Sequence, residues 1–166
     1  MKHWLALLTA LAGSAVVAAT VAALALAGGT TTGGARVNVA TTHLGRILVD
    51  RKGITLYDFP PDRGTTSVCY GACAALWPPL ITHGKPVAGP GVRKSLLRTT
   101  RRRDGKLQVT YGGHPLYSFV QDTKAGQTNG EGLTDFGGRW DPVSVAGKAV
   151  RKGASATSTS GGGYGR

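Results

Sequence analysis

Gly45–Asp62 reads GRILVDRKGITLYDFPPD, and Gly105–Asp122 reads GKLQVTYGGHPLYSFVQD. Superimposed at an offset of 60 with no gap, they are identical at Gly45/Gly105, Val49/Val109, Gly53/Gly113, Leu56/Leu116, Tyr57/Tyr117, Phe59/Phe119 and Asp62/Asp122, seven of 18 positions. Arg46/Lys106 and Ile47/Leu107 are conservative pairs. Further on, W-x-P recurs as Trp77-Pro78-Pro79 and Trp140-Asp141-Pro142 at an offset of 63, so one gap of three residues reconciles the two offsets. Such self-similarity indicates a fold built from two copies of one supersecondary unit.

Each copy has the pattern of a β-hairpin. Ile47 and Val49, like Leu107 and Val109, alternate with less apolar neighbours, which is the period of a strand. Arg51-Lys52-Gly53 and Gly112-Gly113 are turn signals because glycine accepts positive φ. The returning strand in both copies is Leu-Tyr-x-Phe, with Tyr and Phe on one face and Leu on the other, so it should be covered on both sides. Arg36–Ala40 and Trp140–Val145 add candidate strands, and Asp104-Gly105 should turn the preceding basic run into a hairpin with Lys106–Tyr111. One short helix is expected at Tyr70–Leu76, ended by Pro78-Pro79. The expected fold is mainly β: a small single domain of two pseudo-symmetric β-hairpin repeats, about 45–80 and 105–145, with one short helix.

The chain has 166 residues, 20 Lys+Arg against 8 Asp+Glu, and a formal charge of +12. This length excludes a large multi-domain enzyme. At 41% hydrophobic residues it can bury a core, and 26 glycines favour turns and short strands over long helices. Residues 4–27 carry no charge and follow Lys2, the pattern of an exported chain. Ala25-Leu26-Ala27 supplies a small-x-small cleavage site, so residues 1–27 are expected to be a signal peptide. A retained membrane anchor is the alternative, since the run is long enough to span a bilayer. Leu26-Ala27-Gly28 resembles the start of a lipoprotein box, but Gly29 stands where the acylated Cys would be, so no lipid anchor is expected. Residues 28–35 read as a linker, 36–150 as the folded domain, and 151–166 as a disordered Gly/Ser/Thr tail.

Both hairpin blocks, together with CYGACAALWPPL, GVRKSLL, TKAGQTNGEGL and GGRW in that order, resemble the bacterial secreted/lipoprotein repeat family defined by a Y-x4-D motif (Tyr-x-aromatic-x-x-Asp). The resemblance covers roughly residues 44–148. It implies a secreted or cell-envelope location and a tandem repeat, and it carries no established biochemical activity.

The motif residues are Tyr57, Phe59 and Asp62 in the first copy and Tyr117, Phe119 and Asp122 in the second. One reading is structural: Asp62 folds back onto the Tyr57 hydroxyl or onto turn amides, and Asp122 onto Tyr117, pinning the strand exit. The other brings two carboxylates together across a pseudo-twofold axis for metal binding or acid/base work. The near identity of the two settings favours the first, because paired catalytic carboxylates need differentiated environments. Cys69 and Cys73 are the only thiols, and in an exported chain they are expected to form a disulfide. A redox-active pair prefers C-x-x-C spacing, and a zinc site needs two further ligands. No cofactor and no metal are expected. His3 lies in the signal segment. His43, His83 and His114 are mutually distant in sequence, and His114, between the tyrosines of the second repeat, is the first to test.

Arg93–Arg103, RKSLLRTTRRR, places six basic residues (Arg93, Lys94, Arg98, Arg101, Arg102 and Arg103) in eleven positions. Such a segment is a candidate anion-binding site for envelope phosphates, anionic lipid headgroups or extracellular nucleic acid; its bland alternative is a solvated loop and strand in a basic protein. No nucleic-acid-binding motif accompanies it. The partners expected are anionic envelope polymers or another envelope protein, with no specific nucleic acid, and a membrane only if residues 1–27 are retained. Thr123–Leu133 is a polar, Gly-rich loop without the order of a phosphate loop. The functional expectation is an exported, non-enzymatic binding or interaction module. The alternatives are a redox or cofactor-binding protein centred on Cys69/Cys73, and adhesion through Arg93–Arg103.

Overall fold

In the computed structural model, which describes residues 33–152, the first repeat opens with β1 (Arg36–Thr42) and β2 (Gly45–Asp50), antiparallel from Val37↔Asp50 to Thr42↔Gly45. The expected signal segment 1–27, residues 28–32 of the linker and residues 153–166 of the tail lie outside the described residues. After β2 the chain returns through β3 (Tyr57–Asp58), α1 (Ala72–Leu76), β4 (Ile81–Thr82) and β5 (Val87–Ala88). The second repeat follows as β6 (Leu97–Arg101), β7 (Leu107–Tyr111) and β8 (His114–Pro115). It closes with β9 (Thr134–Asp135), β10 (Gly138–Arg139) and β11 (Asp141–Pro142). The protein is thus mainly β, with two repeats and one short α-helix among the described residues. The helix starts two residues later than expected because Gly71 takes φ 55°, outside the right-handed helical region.

The repeats are interlocked rather than stacked. Tyr57 and Tyr117 exchange both backbone bonds (Tyr57 N to Tyr117 O, 2.8 Å; Tyr117 N to Tyr57 O, 3.0 Å), so a pseudo-twofold axis passes between them. Each repeat then lends a strand to the other. Leu80 N donates to Leu116 O and Leu80 O accepts from Val109 N; reciprocally, Val143 N donates to Leu56 O and Val143 O accepts from Leu48 N.

Those bonds also correct the alignment. Leu48, not Val49, occupies the place of Val109, and Ile47 that of Gln108: Ile47 bridges Ser144 as Gln108 bridges Ile81. The loops explain the slip. In the first repeat a two-residue turn (His43-Leu44) precedes a three-residue one (Arg51–Gly53); in the second a three-residue turn (Arg103–Gly105) precedes a two-residue one (Gly112-Gly113). The longer first-repeat turn is held by Asp50, whose Oδ1 accepts from Lys52 N and Ile54 N. Gly112 and Gly113 have φ 59° and 91°, the pair of positive angles a two-residue type I′ turn requires. The inserted residue comes earlier in one repeat and later in the other, so the offset of 60 survives while the strand between is displaced by one. Nor does β2 alternate as expected: Ile47, Leu48 and Val49 are all buried, because sheet partners and core cover both faces.

Two cores result, one on each side of the Leu-Tyr-x-Phe strands. Leu56 and Leu116 join Val37, Leu48, Leu97, Val109, Tyr111 and Val143 in a largely aliphatic cluster. Tyr57, Phe59, Tyr117 and Phe119 join Trp77, Trp140 and the two cysteines in an aromatic one. The expectation that Leu faces one way and Tyr and Phe the other therefore holds. Arg151 and Lys152, read from sequence as the start of a free tail, are tied down: Arg151 Nε donates to Asp141 at 3.0 Å and Lys152 N to Glu131 at 3.1 Å.

Candidate functional site

The two Y-x4-D motifs brace each other. The Tyr57 hydroxyl donates to Asp122 Oδ2 at 2.6 Å, and the Tyr117 hydroxyl to Asp62 Oδ2 at 2.7 Å. The expected pairing of each Tyr with the Asp of its own motif is therefore corrected. Tyr57 and Tyr117 lie at the axis on antiparallel strands, so each side chain runs toward the other repeat's strand exit. The expectation that turn amides bind the carboxylates does hold: Asp62 Oδ1 accepts from Val68 N and Asp122 Oδ1 from Asn129 N, both at 2.8 Å.

Burial is the main influence on all four groups. It pushes the Asp62 and Asp122 carboxyls upward against the opposing pull of their hydrogen bonds, and it pushes the Tyr57 and Tyr117 hydroxyls well above their ordinary range. Both tyrosines accordingly remain protonated donors at neutral pH. Above them runs a four-ring stack, Phe59–Trp140–Trp77–Phe119, with centroid spacings of 4.1, 4.0 and 4.3 Å. Tyr57 meets Trp77 edge-on, and Tyr117 meets Trp140 likewise. The motif Phe of each repeat thus stacks on the Trp of the other for Phe59 and Trp140, and again for Phe119 and Trp77.

Cys69 and Cys73 form the expected disulfide, with both residues buried in this aromatic cluster. Trp77 N donates to Cys73 O, so the clamp leads directly into the tryptophan. Among the described residues no group of three or more His, Cys, Asp or Glu side chains is placed to hold a metal ion.

The basic segment divides into two parts. Arg93, Lys94, Arg98, Arg101 and Arg103 are exposed, but Arg102 is only 4% exposed, so it leaves the set of surface anion-binding candidates. Its guanidinium donates to Gln108 Oε1 (2.6 Å), Ser67 Oγ (2.8 Å) and Cys69 O (2.7 Å), and it stacks over Tyr70. Ser67 lies 2.8 Å from the Tyr117 hydroxyl. The single Tyr117 proton goes to Asp62, so Ser67 donates to Tyr117 and accepts from Arg102. On the other side of the axis the backbone N–H of Gly130 takes Ser67's part toward Tyr57, at 3.3 Å. The sequence carried one sign of this arrangement, a Gln at position 108 between Leu107 and Val109.

A second buried polar site was not anticipated. Asp58 and Asp141 are direct cross-strand partners in the β3–β11 pair. Asp141 is fully buried and held by Arg139 Nε (2.8 Å) and Arg151 Nε (3.0 Å). Asp58 Oδ1 is buried with no hydrogen-bond partner, and burial, reinforced by the Asp141 charge, pushes this carboxyl up to about 6. At the equivalent places the other repeat pair has Ser118 and Pro78, so the feature belongs to one side alone. His43 sits exposed in a turn, and His83 is exposed beside the basic segment. His114 is half-buried in β8, near enough to Asp62 for its charge to favour the ionised carboxyl.

No helix among the described residues is long and apolar enough to cross a membrane. Comparison with curated proteins gives no match, and neither does comparison with solved structures. A family profile described as a secreted repeat of unknown function matches residues 38–81 and 98–144. Each matched segment begins inside or beside an opening strand, β1 or β6, and ends at the strand lent to the other repeat. Together the two segments span more than half of the chain, so it belongs to this family of secreted repeats of unknown function.

Proposed function

We propose that the chain is an exported cell-envelope protein that acts as a non-enzymatic binding module. The observation that carries this reading is the crossed brace. Both oxygens of Asp62 and of Asp122 already accept hydrogen bonds, one from a tyrosine of the other repeat and one from a backbone amide. Carboxylates so engaged hold the repeats together and have no lone proton-transfer geometry directed at a substrate. The buried disulfide fits the same reading, since redox exchange needs an accessible, activated sulfur. Export rests on the uncharged segment 4–27 and the Ala25-Leu26-Ala27 cleavage pattern, with Gly29 arguing against lipid attachment. The domain proposed for the task is 36–150.

The test is an assay of the purified protein on envelope glycans, peptides and phosphoesters, with Asp62→Asn and Asp122→Asn as controls. The expected result is no turnover by any form, with lowered melting temperature in both variants. Turnover lost in either variant while circular dichroism stays native would overturn the reading.

A second reading, adhesion to anionic envelope polymers, draws on the five exposed basic residues of Arg93–Arg103. Its binding would weaken steeply with added salt and vanish on charge reversal at Arg98 and Arg101.

A further inference from the structure

Among the described residues β6 is an edge strand: it pairs with β7 and with no strand on its other side. Gly112 N donates to Leu96 O and Arg102 N to Lys106 O, which fixes the phase of the ladder. Arg98 and Thr100 therefore direct their backbone groups at β7, while Thr99 and Arg101 turn N–H and C=O outward. Across from this edge stands β5, itself the last strand of the β2–β1–β5 sheet. Val87 N and Gly89 N face β1, so the Ala88 backbone groups point away from it.

Between the two walls lies a cavity of about 960 Å³ lined by Val87, Leu97 and Leu107, and by Lys85, Lys94 and Arg98. A second cavity of about 560 Å³ shares the lining residue Leu107 and is bordered by Arg101 and Lys106. Among the described residues no acidic side chain lines either one.

We propose that this groove receives an extended acidic peptide segment of another exported protein, which adds as a strand to the free edge of β6. This deepens the reading of the chain as a non-enzymatic binding module and rests on it. Three features select that occupant. The outward N–H and C=O groups of Thr99 and Arg101 are a strand template, which a phosphate polymer would leave unused. The apolar residues between the walls suit alternate side chains of a strand, and the cations around them suit acidic neighbours. A second copy of this chain is disfavoured because its own edge carries the same cations, the usual device against edge-to-edge pairing. The chain's segments outside 33–152 contain no Asp or Glu, so they lack the complementary charge.

The experiment is fluorescence anisotropy on the full chain in mild detergent, with a labelled eight-residue peptide alternating Val and Asp. The comparators are the same peptide N-methylated at alternate amides, a Val–Lys peptide, and inorganic polyphosphate as competitor. The protein variants are Thr99→Pro and Lys85→Glu/Arg98→Glu. Thr99→Pro removes an outward N–H while sparing the ladder, the one setting in which an edge strand accepts proline. The Val–Asp peptide should bind, while N-methylation or Thr99→Pro weakens it at least tenfold and charge reversal abolishes it, all with native circular dichroism. Equal affinity of the N-methylated peptide, or Thr99→Pro without effect, would reduce the site to charge attraction and overturn strand addition. Displacement by polyphosphate at equal charge with that same insensitivity would point to the anionic polymer instead. Absence of binding to any probe sinks this proposal alone, whereas the turnover assay with Asp62→Asn and Asp122→Asn decides the underlying reading.

Discussion

Asp58 carries a burden that its counterpart Ser118 does not. It is buried opposite Asp141, whose own charge is met by Arg139 and Arg151, and it has an oxygen without a partner. The folded chain keeps the Asp58 proton up to about 6, whereas the free carboxyl releases it near 3.8. Folding therefore takes up a proton between those values, and the stability associated with Asp58 falls as pH rises through that window. At neutral pH the penalty is at most about 3 kcal/mol. Asp58→Asn should relieve it: melting curves at pH 4 and pH 7 should show the variant gaining on the parent protein as pH rises. A difference in melting temperature that is flat with pH would show that Asp58 ionises without penalty. The pair occurs on one side of the pseudo-twofold axis only, Ser118 and Pro78 standing at the equivalent places.

At the scale of elements, the long polar loop Thr123–Leu133 proves to be a component of the brace. Its Gln127 O accepts from Thr55 Oγ1 at 2.6 Å, and Gly130 lies under Tyr57 and Trp77. A Cβ at Gly130 would come 2.7 Å from the Trp77 ring and 3.0 Å from the Tyr57 ring. Gly130→Ala should therefore cost about 1–3 kcal/mol by overpacking, readable in urea unfolding, with a blue-edge change in tryptophan fluorescence as the stack shifts. A loss below about 0.5 kcal/mol, the level expected of an indifferent surface change, would mean that the loop can withdraw and that its closeness to the stack is incidental. The sequence named this loop as polar and Gly-rich, but its partner lies more than 70 residues away, beyond any local pattern.

The duplication was legible because both copies keep the Leu-Tyr-x-Phe strand, whose two faces must meet two cores. The hairpins, the short helix and the disulfide followed from turn residues, prolines and the two isolated thiols. The slip in β2 stayed hidden because turns of two and three residues occur in opposite order, leaving the overall spacing unchanged. In sequence Arg102 looks like one more surface cation, because its burial depends on Ser67 and Cys69 of one loop and Gln108 of β7 converging on it. The crossing of the motifs was equally beyond sequence: identical Tyr and Asp residues can pair within a repeat or between repeats, and only the antiparallel meeting of Tyr57 with Tyr117 decides it.

That crossing makes the two repeats one cooperative unit and leaves the motif carboxylates as braces. The most direct measurement is a pair of double-mutant cycles by urea unfolding: Tyr57→Phe with Asp122→Ala, and Tyr57→Phe with Asp62→Ala. The crossed brace predicts a coupling of about 1 kcal/mol or more for Tyr57 with Asp122, as for a buried hydrogen bond to a charged group. For Tyr57 with Asp62, whose side chains make no hydrogen bond to each other, it predicts a coupling well below that, about 0.5 kcal/mol or less. Strong coupling within a motif and none between motifs would contradict the account.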